Sequence, residues 1–139
     1  MESLGRHFNL AVSQIATARR VYLGEAQQAT LIVVDPAANL VTVSQHNAAS
    51  AGSTSALNFT KRYQQDSAGI WTVATQAPGN TFTPAGTEDL IVVEFNAKAL
   101  AGGFRWVSAT IATAGTLLWV ISGLARQRTP PNLRAAHSV

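Results

Sequence analysis

The sequence predicts an all-β fold, an antiparallel β-sandwich or jelly-roll-like domain followed by an extended C-terminal arm. Apolar residues recur at every second position in most segments, and turn residues separate these segments at regular intervals. No segment of useful length has a helical period. A chain of 139 residues has room for one domain with a sizeable core, but not for two. We therefore expect a sandwich domain over residues 1–125 and the arm over residues 126–139.

The first part of the chain contains four predicted strands. Strand alternation is clear around Leu10, and the longest apolar run stops at Asp35-Pro36, because proline cannot donate a hydrogen bond to a neighbouring strand. Chain order alone suggests that these strands form a meander. The predicted strands are Phe8–Ser13, Arg20–Leu23, Gln28–Val34 and Leu40–His46.

The second part begins after a small, polar segment, Asn47–Ser55, which we expect to be a mobile surface loop. The clearest hairpin in the sequence turns at Asp66-Ser67-Ala68-Gly69. Asn96–Ala101 has room for one helical turn. The predicted strands of this part are Leu57–Gln64, Ile70–Thr75, Thr81–Thr83, Asp89–Phe95, Phe104–Ile111 and Thr116–Leu124.

Composition excludes several classes of function. Charged residues make up only 12% of the chain, and a net charge of +3 is too small to indicate a nucleic-acid-binding protein. The absence of cysteine rules out disulfides and thiolate chemistry. The first ten residues lack the apolar core of a signal peptide, and no apolar window has the length of a membrane span. We expect a soluble protein that contacts neither nucleic acid nor a membrane directly.

The sequence has no pattern typical of an active site. His7, His46 and His137 have no metal-ligand spacing, and the neighbouring carboxylates of Glu88 and Asp89 should point to opposite faces of a strand. A G-x-S-x-G nucleophile motif is also missing. We therefore predict no catalytic, cofactor-binding or metal-binding residues, and an enzyme is the least favoured class.

The closing strand, Thr116–Leu124, is apolar on both faces, although a strand of an antiparallel sheet usually has one wet face. Leu118 and Val120 point to one side. One of the two sets is expected to meet a second layer, which belongs either to the same subunit or to a neighbouring one. The aromatic residues of the preceding predicted strand, Phe104–Ile111, raise the same question of which layer covers them. The candidate interface residues on these segments are Phe104, Trp106, Leu117, Trp119 and Ile121.

The C-terminal arm contains two adjacent prolines, Pro130 and Pro131, and three arginines. It is either a disordered linker or a segment that becomes ordered on a partner. Proline limits the conformational freedom that is lost on docking, and guanidinium groups form paired hydrogen bonds with carboxylates. The candidate interface residues of the arm are Arg126, Arg128 and Arg134.

Three segments of the chain resemble the capsid decoration, or cement, proteins of tailed bacteriophages, which are small virion proteins. The opening Leu4–Phe8 adds to this resemblance, which covers most of residues 56–124 and rests on pattern and strand order. The segments are Ala56–Val73 (ALNFTKRYQQDSAGIWTV), Thr81–Phe95 (TFTPAGTEDLIVVEF) and Ala99–Thr113 (ALAGGFRWVSATIAT).

The resemblance implies a β-rich subunit on the outer surface of the capsid that binds neighbouring copies of the major capsid protein. It also implies a homo-oligomer, with a trimer favoured. Such binding requires no catalytic residues. Its strength comes from weak contacts that are repeated many times and add up through multivalency. The alternatives are another phage virion component, for head completion or the tail, and a β-sandwich module that binds carbohydrate or a host surface. Aromatic residues clustered on a loop rim would favour that module.

Overall fold

The computed structural model describes residues 3–13 and 19–129 and confirms the predicted fold class. Two antiparallel sheets pack face to face as a sandwich, and the part of the chain that is described contains no α-helix. A single 3₁₀ turn, Ala97–Ala99, lies within the segment that was predicted to hold one helical turn. Side chains of alternating residues point to opposite faces of each strand, which is the physical basis of the pattern seen in the sequence.

The strands are close to those predicted. β3 coincides with its prediction, and β7 is longer than predicted because the chain stays extended through Pro78. The strands are β1 (Phe8–Ser13), β2 (Val21–Tyr22), β3 (Gln28–Val34), β4 (Val41–His46), β5 (Thr54–Ala56), β6 (Phe59–Asp66), β7 (Trp71–Gly79), β8 (Thr81–Phe82), β9 (Glu88–Asn96), β10 (Trp106–Ile111) and β11 (Thr116–Ser122).

The larger sheet has six strands in the order β1-β11-β3-β9-β6-β7. The smaller sheet has the order β2-β10-β4-β5, and β8 pairs with β4 beyond the end of β5. The prediction that the first four strands form a meander is therefore wrong. β3 and β4 lie in different sheets, and β1 pairs with β11 at the far end of the chain. Alternation identifies a strand, but it does not select the strand's neighbours.

The core lies between the two sheets. The larger sheet contributes alternate residues of β3, β9 and β11, with Trp119 completely buried at the centre. The ring of Phe95 packs against Trp119 with 5.9 Å between ring centroids. The smaller sheet contributes alternate residues of β4 and β10. Core residues on these five strands are Ala29, Leu31, Val33, Ile91, Val93, Phe95, Leu117, Trp119, Ile121, Val41, Val43, Val107, Ala109 and Ile111.

The predicted hairpin joins β6 to β7. Asp66 organises its turn, since Oδ1 accepts hydrogen bonds from the backbone N–H groups of Ala68 at 3.0 Å and Ile70 at 2.9 Å. Gly69 has a φ of 80°, a conformation that a residue with a Cβ adopts at a cost. β7 is the last strand of the larger sheet, so no described strand pairs with its other edge.

Candidate interaction surface

The outer face of the six-stranded sheet, the face that points away from the core, carries an apolar ladder across every strand. Each member of this ladder lies directly opposite the next in the strand register. Strands in a sheet lie about 4.8 Å apart, so the ladder spans roughly 24 Å from the first strand to the last. From β1 to β7, its members are Val12, Leu118, Ile32, Val92, Tyr63 and Val73.

Further apolar side chains flank the ladder on both sides. Leu10 and Val120 lie opposite each other on one side, and Val34 and Leu90 do so on the other. Exposure is greatest at the two edges of the sheet. Val12 is 49% exposed on β1, and Val73 is 57% exposed on β7. An antiparallel sheet normally has polar residues on its solvent face. Here polar residues such as Thr30, Glu94 and Lys61 lie beside the apolar ladder but do not interrupt it.

Large exposed apolar residues are concentrated on this sheet. In the described chain, Leu40 lies elsewhere, and all the others belong to β1 or to the β6–β7 hairpin. A contiguous exposed apolar patch on a folded domain marks a binding surface more often than a scattered set of such residues does. The large exposed apolar residues are Leu10, Val12, Leu40, Ile70, Trp71 and Val73.

The outer face of the smaller sheet is different in character. Its cross-strand partners are mainly hydroxyl residues, among them the row Thr110, Thr42 and Thr81. His46 is also on this face, but it is only 5% exposed. Its Nδ1 lies 2.9 Å from Thr54 Oγ1, and its Nε2 lies 2.8 Å from Ser108 Oγ.

The loop next to this polar cluster is held by Arg20. The loop of residues 47–53 follows His46, and Arg20 holds it in place by donating hydrogen bonds from Nη1 to the carbonyl oxygens of Ala48 at 2.8 Å and Ala51 at 2.5 Å. The side chain of Asn47 closes the loop by accepting a hydrogen bond from the N–H of Ser53 at 2.8 Å. The predicted loop is therefore held by hydrogen bonds, and β5 begins at Thr54, within the predicted loop range.

Burial, together with the positive charge of Arg20, lowers the pKa of His46 from its ordinary value of 6.5 to about 4, and burial is the larger cause. A neutral imidazole donates with one ring nitrogen and accepts with the other, which matches two hydroxyl partners. The Ser108–His46 contact has the spacing of a nucleophile and its base. Ser108 is nevertheless only 3% exposed, and the hydroxyl of Thr54 takes the place of an orienting carboxylate.

A second polar cluster lies on the inner side of the β6–β7 hairpin. The buried Glu88 accepts hydrogen bonds from Gln64 Nε2 at 3.3 Å and from the backbone N–H of Gly86 at 3.1 Å. Arg62 donates to Gln76 Oε1 at 3.0 Å. Glu88 is buried and Asp89 is exposed, so the two carboxylates point apart, as predicted. The cluster supplies hydrogen bonds to the hairpin but holds one carboxylate only.

The described residues also form an open cavity of about 350 Å³ at one end of the sandwich. Amide and cationic side chains line it, but no aromatic ring does. Tyr63 lines another depression, on the outer face, but the Lys61 ammonium lies 5.1 Å from the ring centroid and covers one side of the ring. Neither place presents the free aromatic platform that a sugar ring stacks on. The cavity is lined by Leu23, Gly24, Ala26, Gln27, Gln28, Asn96, Ala97, Lys98, Leu100 and Arg105.

The structure separates the interface residues that were predicted on the last two strands. Leu117, Trp119 and Ile121 lie in the core between the sheets, so they are core residues of the single chain and not an accessible surface. The second layer that they meet belongs to the same subunit. Leu118 and Val120, on the opposite side of the same strand, are partly exposed on the apolar outer face.

The remaining predicted interface residues lie apart from this face. Phe104 precedes β10 and is partly buried, and Trp106 begins β10 on the outer face of the smaller sheet. The Trp106 ring packs against that of Tyr22, with 4.9 Å between the centroids. Trp71 and Trp119 also lie on strands rather than on a loop rim, as the sequence predicted.

Only the first residues of the predicted arm belong to the described chain. Arg126 is exposed. The backbone N–H of Arg128 donates to the carbonyl oxygen of Gly5 at 2.9 Å, and its guanidinium lies 3.8 Å from the carboxylate of Glu25. Arg128 therefore contacts its own chain in this structure. Arg134, Pro130, Pro131 and His137 lie outside the described residues, so the predicted role of that segment stays a prediction.

Two searches of the described residues for other kinds of site were negative. No helix there is long and apolar enough to cross a membrane. No group of three or more His, Asp or Glu side chains within residues 3–13 and 19–129 is placed to hold a metal ion. Comparison of the chain with protein-family models, with curated proteins and with solved structures gives no match.

Sequence reasoning found one strand of the apolar outer face and missed the others. It identified β11 as apolar on both faces, but the same signal is present in β3 and β9. Leu31–Val34 and Leu90–Val93 are unbroken apolar runs, and such runs are typical of strands that are covered on both sides. On β7, Trp71 and Val73 alternate with small or polar residues, so that strand resembles an ordinary half-buried one.

Proposed function

We propose that this chain is a structural virion protein that decorates and stabilises a capsid by binding the outer surface of the major capsid protein lattice. The observation that carries the proposal is the apolar outer face of the six-stranded sheet. A second layer within the chain covers the inner face of this sheet, so apolar residues on the outer face have no role in the subunit's own core. A partner protein is the kind of layer that fits such a face.

The other observations support a binding role over a catalytic one. His46 and Glu88 are residue types that often act in catalysis, but here both are enclosed and hydrogen-bonded within the fold. The two depressions described above lack a free aromatic platform, which weighs against a carbohydrate-binding module. The resemblance in the sequence supports a virion protein on the outer capsid surface. Head completion and tail proteins are the nearest alternatives, and they would use the same face.

Binding to capsids tests the proposal. Capsids assembled from the major capsid protein of the same genome are mixed with the purified chain and sedimented. The wild-type protein should co-sediment. Val12→Asp, which places a charge at an exposed position of the apolar ladder, should weaken binding at least about tenfold, because burying an unpaired carboxylate is unfavourable.

Thr81→Asp is the matched control, since Thr81 is an exposed strand residue on the outer face of the smaller sheet. This variant should bind as the wild type does. Circular dichroism and thermal melting establish that both variants are folded. A wild-type protein that stays in the supernatant at all concentrations would contradict the proposal, and so would equal binding of the folded Val12→Asp variant.

A further inference from the structure

We propose that β7 is a self-association edge, along which two copies of this chain pair their β7 strands antiparallel across a two-fold axis. This inference goes beyond the proposed function, because it concerns the protein in solution and does not depend on capsid binding. It would join two six-stranded sheets into one continuous sheet of two subunits.

β7 has the length and the unpaired edge that pairing with another strand requires. It is nine residues long, and no described strand pairs with its outer edge. An edge strand leaves a row of unpaired N–H and C=O groups. Val73 and Trp71, at 57% and 49% exposure, add apolar side chains beside that row.

Charge, one of the usual protections of an edge strand, is missing here. Proteins keep edge strands from pairing by means of charged side chains, above all lysine, by proline, by β-bulges or by making the edge very short. The 21 residues from Ser67 to Thr87 contain no charged side chain, and all of β7 lies within that segment. β1 at the other edge is shorter, with six residues, and the segment just before it is tied to the end of the described chain, because the carbonyl oxygen of Gly5 accepts a hydrogen bond from the N–H of Arg128.

The neutrality of β7 also favours a second copy over a foreign partner. A charged strand would meet its own charge across a two-fold axis, whereas an uncharged one meets no repulsion. It also offers no charge pattern with which to select a different chain. In a two-fold contact each surface is its own complement, so every backbone hydrogen bond of one copy is repeated by the other.

Proline sets the register. Pro78 has no N–H group and cannot donate to a paired strand, so pairing is confined to the seven residues Trp71–Ala77. The centre of that segment is Ala74. In the symmetric register, Trp71 lies opposite Ala77 of the second copy and Val73 lies opposite Thr75, so each large side chain faces a small or medium one.

A single cysteine tests both the pairing and its register. The chain has no cysteine of its own, so Ala74→Cys introduces one thiol, which would lie opposite its counterpart at the two-fold axis. Cα atoms directly opposite in an antiparallel pair lie about 4.5–5.5 Å apart, within the range of a disulfide. Under mild oxidation this variant should form a covalent dimer. Val12→Cys, an exposed position on the opposite edge of the same sheet, is the matched control and should stay mostly monomeric.

Sedimentation provides a second, reversible readout. The wild-type protein should show a concentration-dependent monomer–dimer equilibrium. Val73→Lys should raise the dissociation constant about tenfold or more, because it places two lysines close together across the axis. Val12→Lys should leave the constant unchanged.

Four results would overturn the proposal. The first is a wild-type protein that stays monomeric up to about 1 mM, and the second is a wild-type trimer. The third is a dimer whose dissociation constant does not change in folded Val73→Lys. The fourth is equal cross-linking of the Ala74→Cys and Val12→Cys variants, which would indicate random collision or pairing of β1 with β7. Loss of capsid binding with an intact dimer would refute the proposed function and leave the β7 contact in place.

Discussion

The outer faces of the two sheets differ in the side chains they carry and in how far the chain itself buries those side chains. Both lie away from the core, yet the smaller sheet covers its potentially reactive groups with its own chain: Arg20 secures the 47–53 loop near His46 and Ser108. The larger sheet leaves an apolar ladder uncovered from Val12 to Val73. The outer face of the smaller sheet therefore carries mainly hydroxyl side chains, whereas that of the larger sheet carries a continuous apolar row.

This difference shows why burial within the chain and apolar character have to be considered separately. Trp119 and Leu118 are neighbours on β11, and both are apolar. Trp119 is completely buried between the sheets and contributes to folding, whereas Leu118 is partly exposed and contributes little to the intersheet core. Residues of the second kind are the ones expected to act in binding.

The largest expected effect concerns the inner face. Trp119→Ala should lower the free energy of unfolding by about 3–5 kcal/mol, because it leaves a cavity at the centre of the core. Trp119→Phe should cost clearly less, since Trp119 Nε1 is buried with no hydrogen-bond partner among the described residues and phenylalanine removes that N–H. Urea denaturation measures both values. An effect of Trp119→Ala below about 1 kcal/mol would contradict the position of this residue in the core.

The next effect concerns the covered polar cluster. The folded-state pKa of His46 is depressed to about 4, so between pH 6.5 and pH 4 the unfolded chain binds a proton that the folded chain does not. This contribution to stability is present above pH 6.5 and is lost as the pH falls towards 4. Lowering the pH from 7 to 5 should therefore reduce the free energy of unfolding by about 2 kcal/mol through this group.

His46→Gln should remove that part of the pH dependence, and His7→Gln, at an exposed histidine, is the control that should retain it. Urea denaturation at the two pH values separates them. If His46→Gln and His7→Gln show the same loss between pH 7 and pH 5, His46 titrates normally in the folded protein and its enclosure is not as described.

The smallest effect on stability is expected on the apolar ladder. Val12→Thr should change the free energy of unfolding by less than about 0.5 kcal/mol, because the side chain is half exposed and threonine is also a good strand former. The substitution at the same time makes the outer face more polar. A thermal melt of this variant that differs strongly from the wild type would mean that the ladder supports the fold itself.

Much of the fold follows from local physical rules. Period-two alternation located β1 and β4, and apolar runs bounded by turn residues located β3, β9 and β11. The Asp66–Gly69 turn was recognised because aspartate and glycine supply a side-chain acceptor and a positive φ. Strand neighbours were not predictable in the same way, since β1 pairs with β11 across the whole length of the chain. Pairing at such distances depends on the packing of the whole sandwich.

The candidate surface was only partly predictable for a related reason. Apolar residues on both sides of β11 indicated two covered faces, but the sequence does not tell which face the chain itself covers. Leu117, Trp119 and Ile121 were chosen as interface residues and lie in the core, whereas the neighbouring Leu118 and Val120 lie on the open face. The choice depends on the side on which the second sheet packs.

Thiol protection on the assembled particle tests whether the outer face of the six-stranded sheet binds the capsid. Val12→Cys and Thr81→Cys each place a single thiol on one of the two outer faces of a chain that has no other. Alkylation rates are compared for free and capsid-bound protein. Binding should slow alkylation at position 12 at least about tenfold and leave position 81 unchanged. Protection of position 81 with position 12 still reactive, or no protection of either in bound protein, would contradict binding through this face.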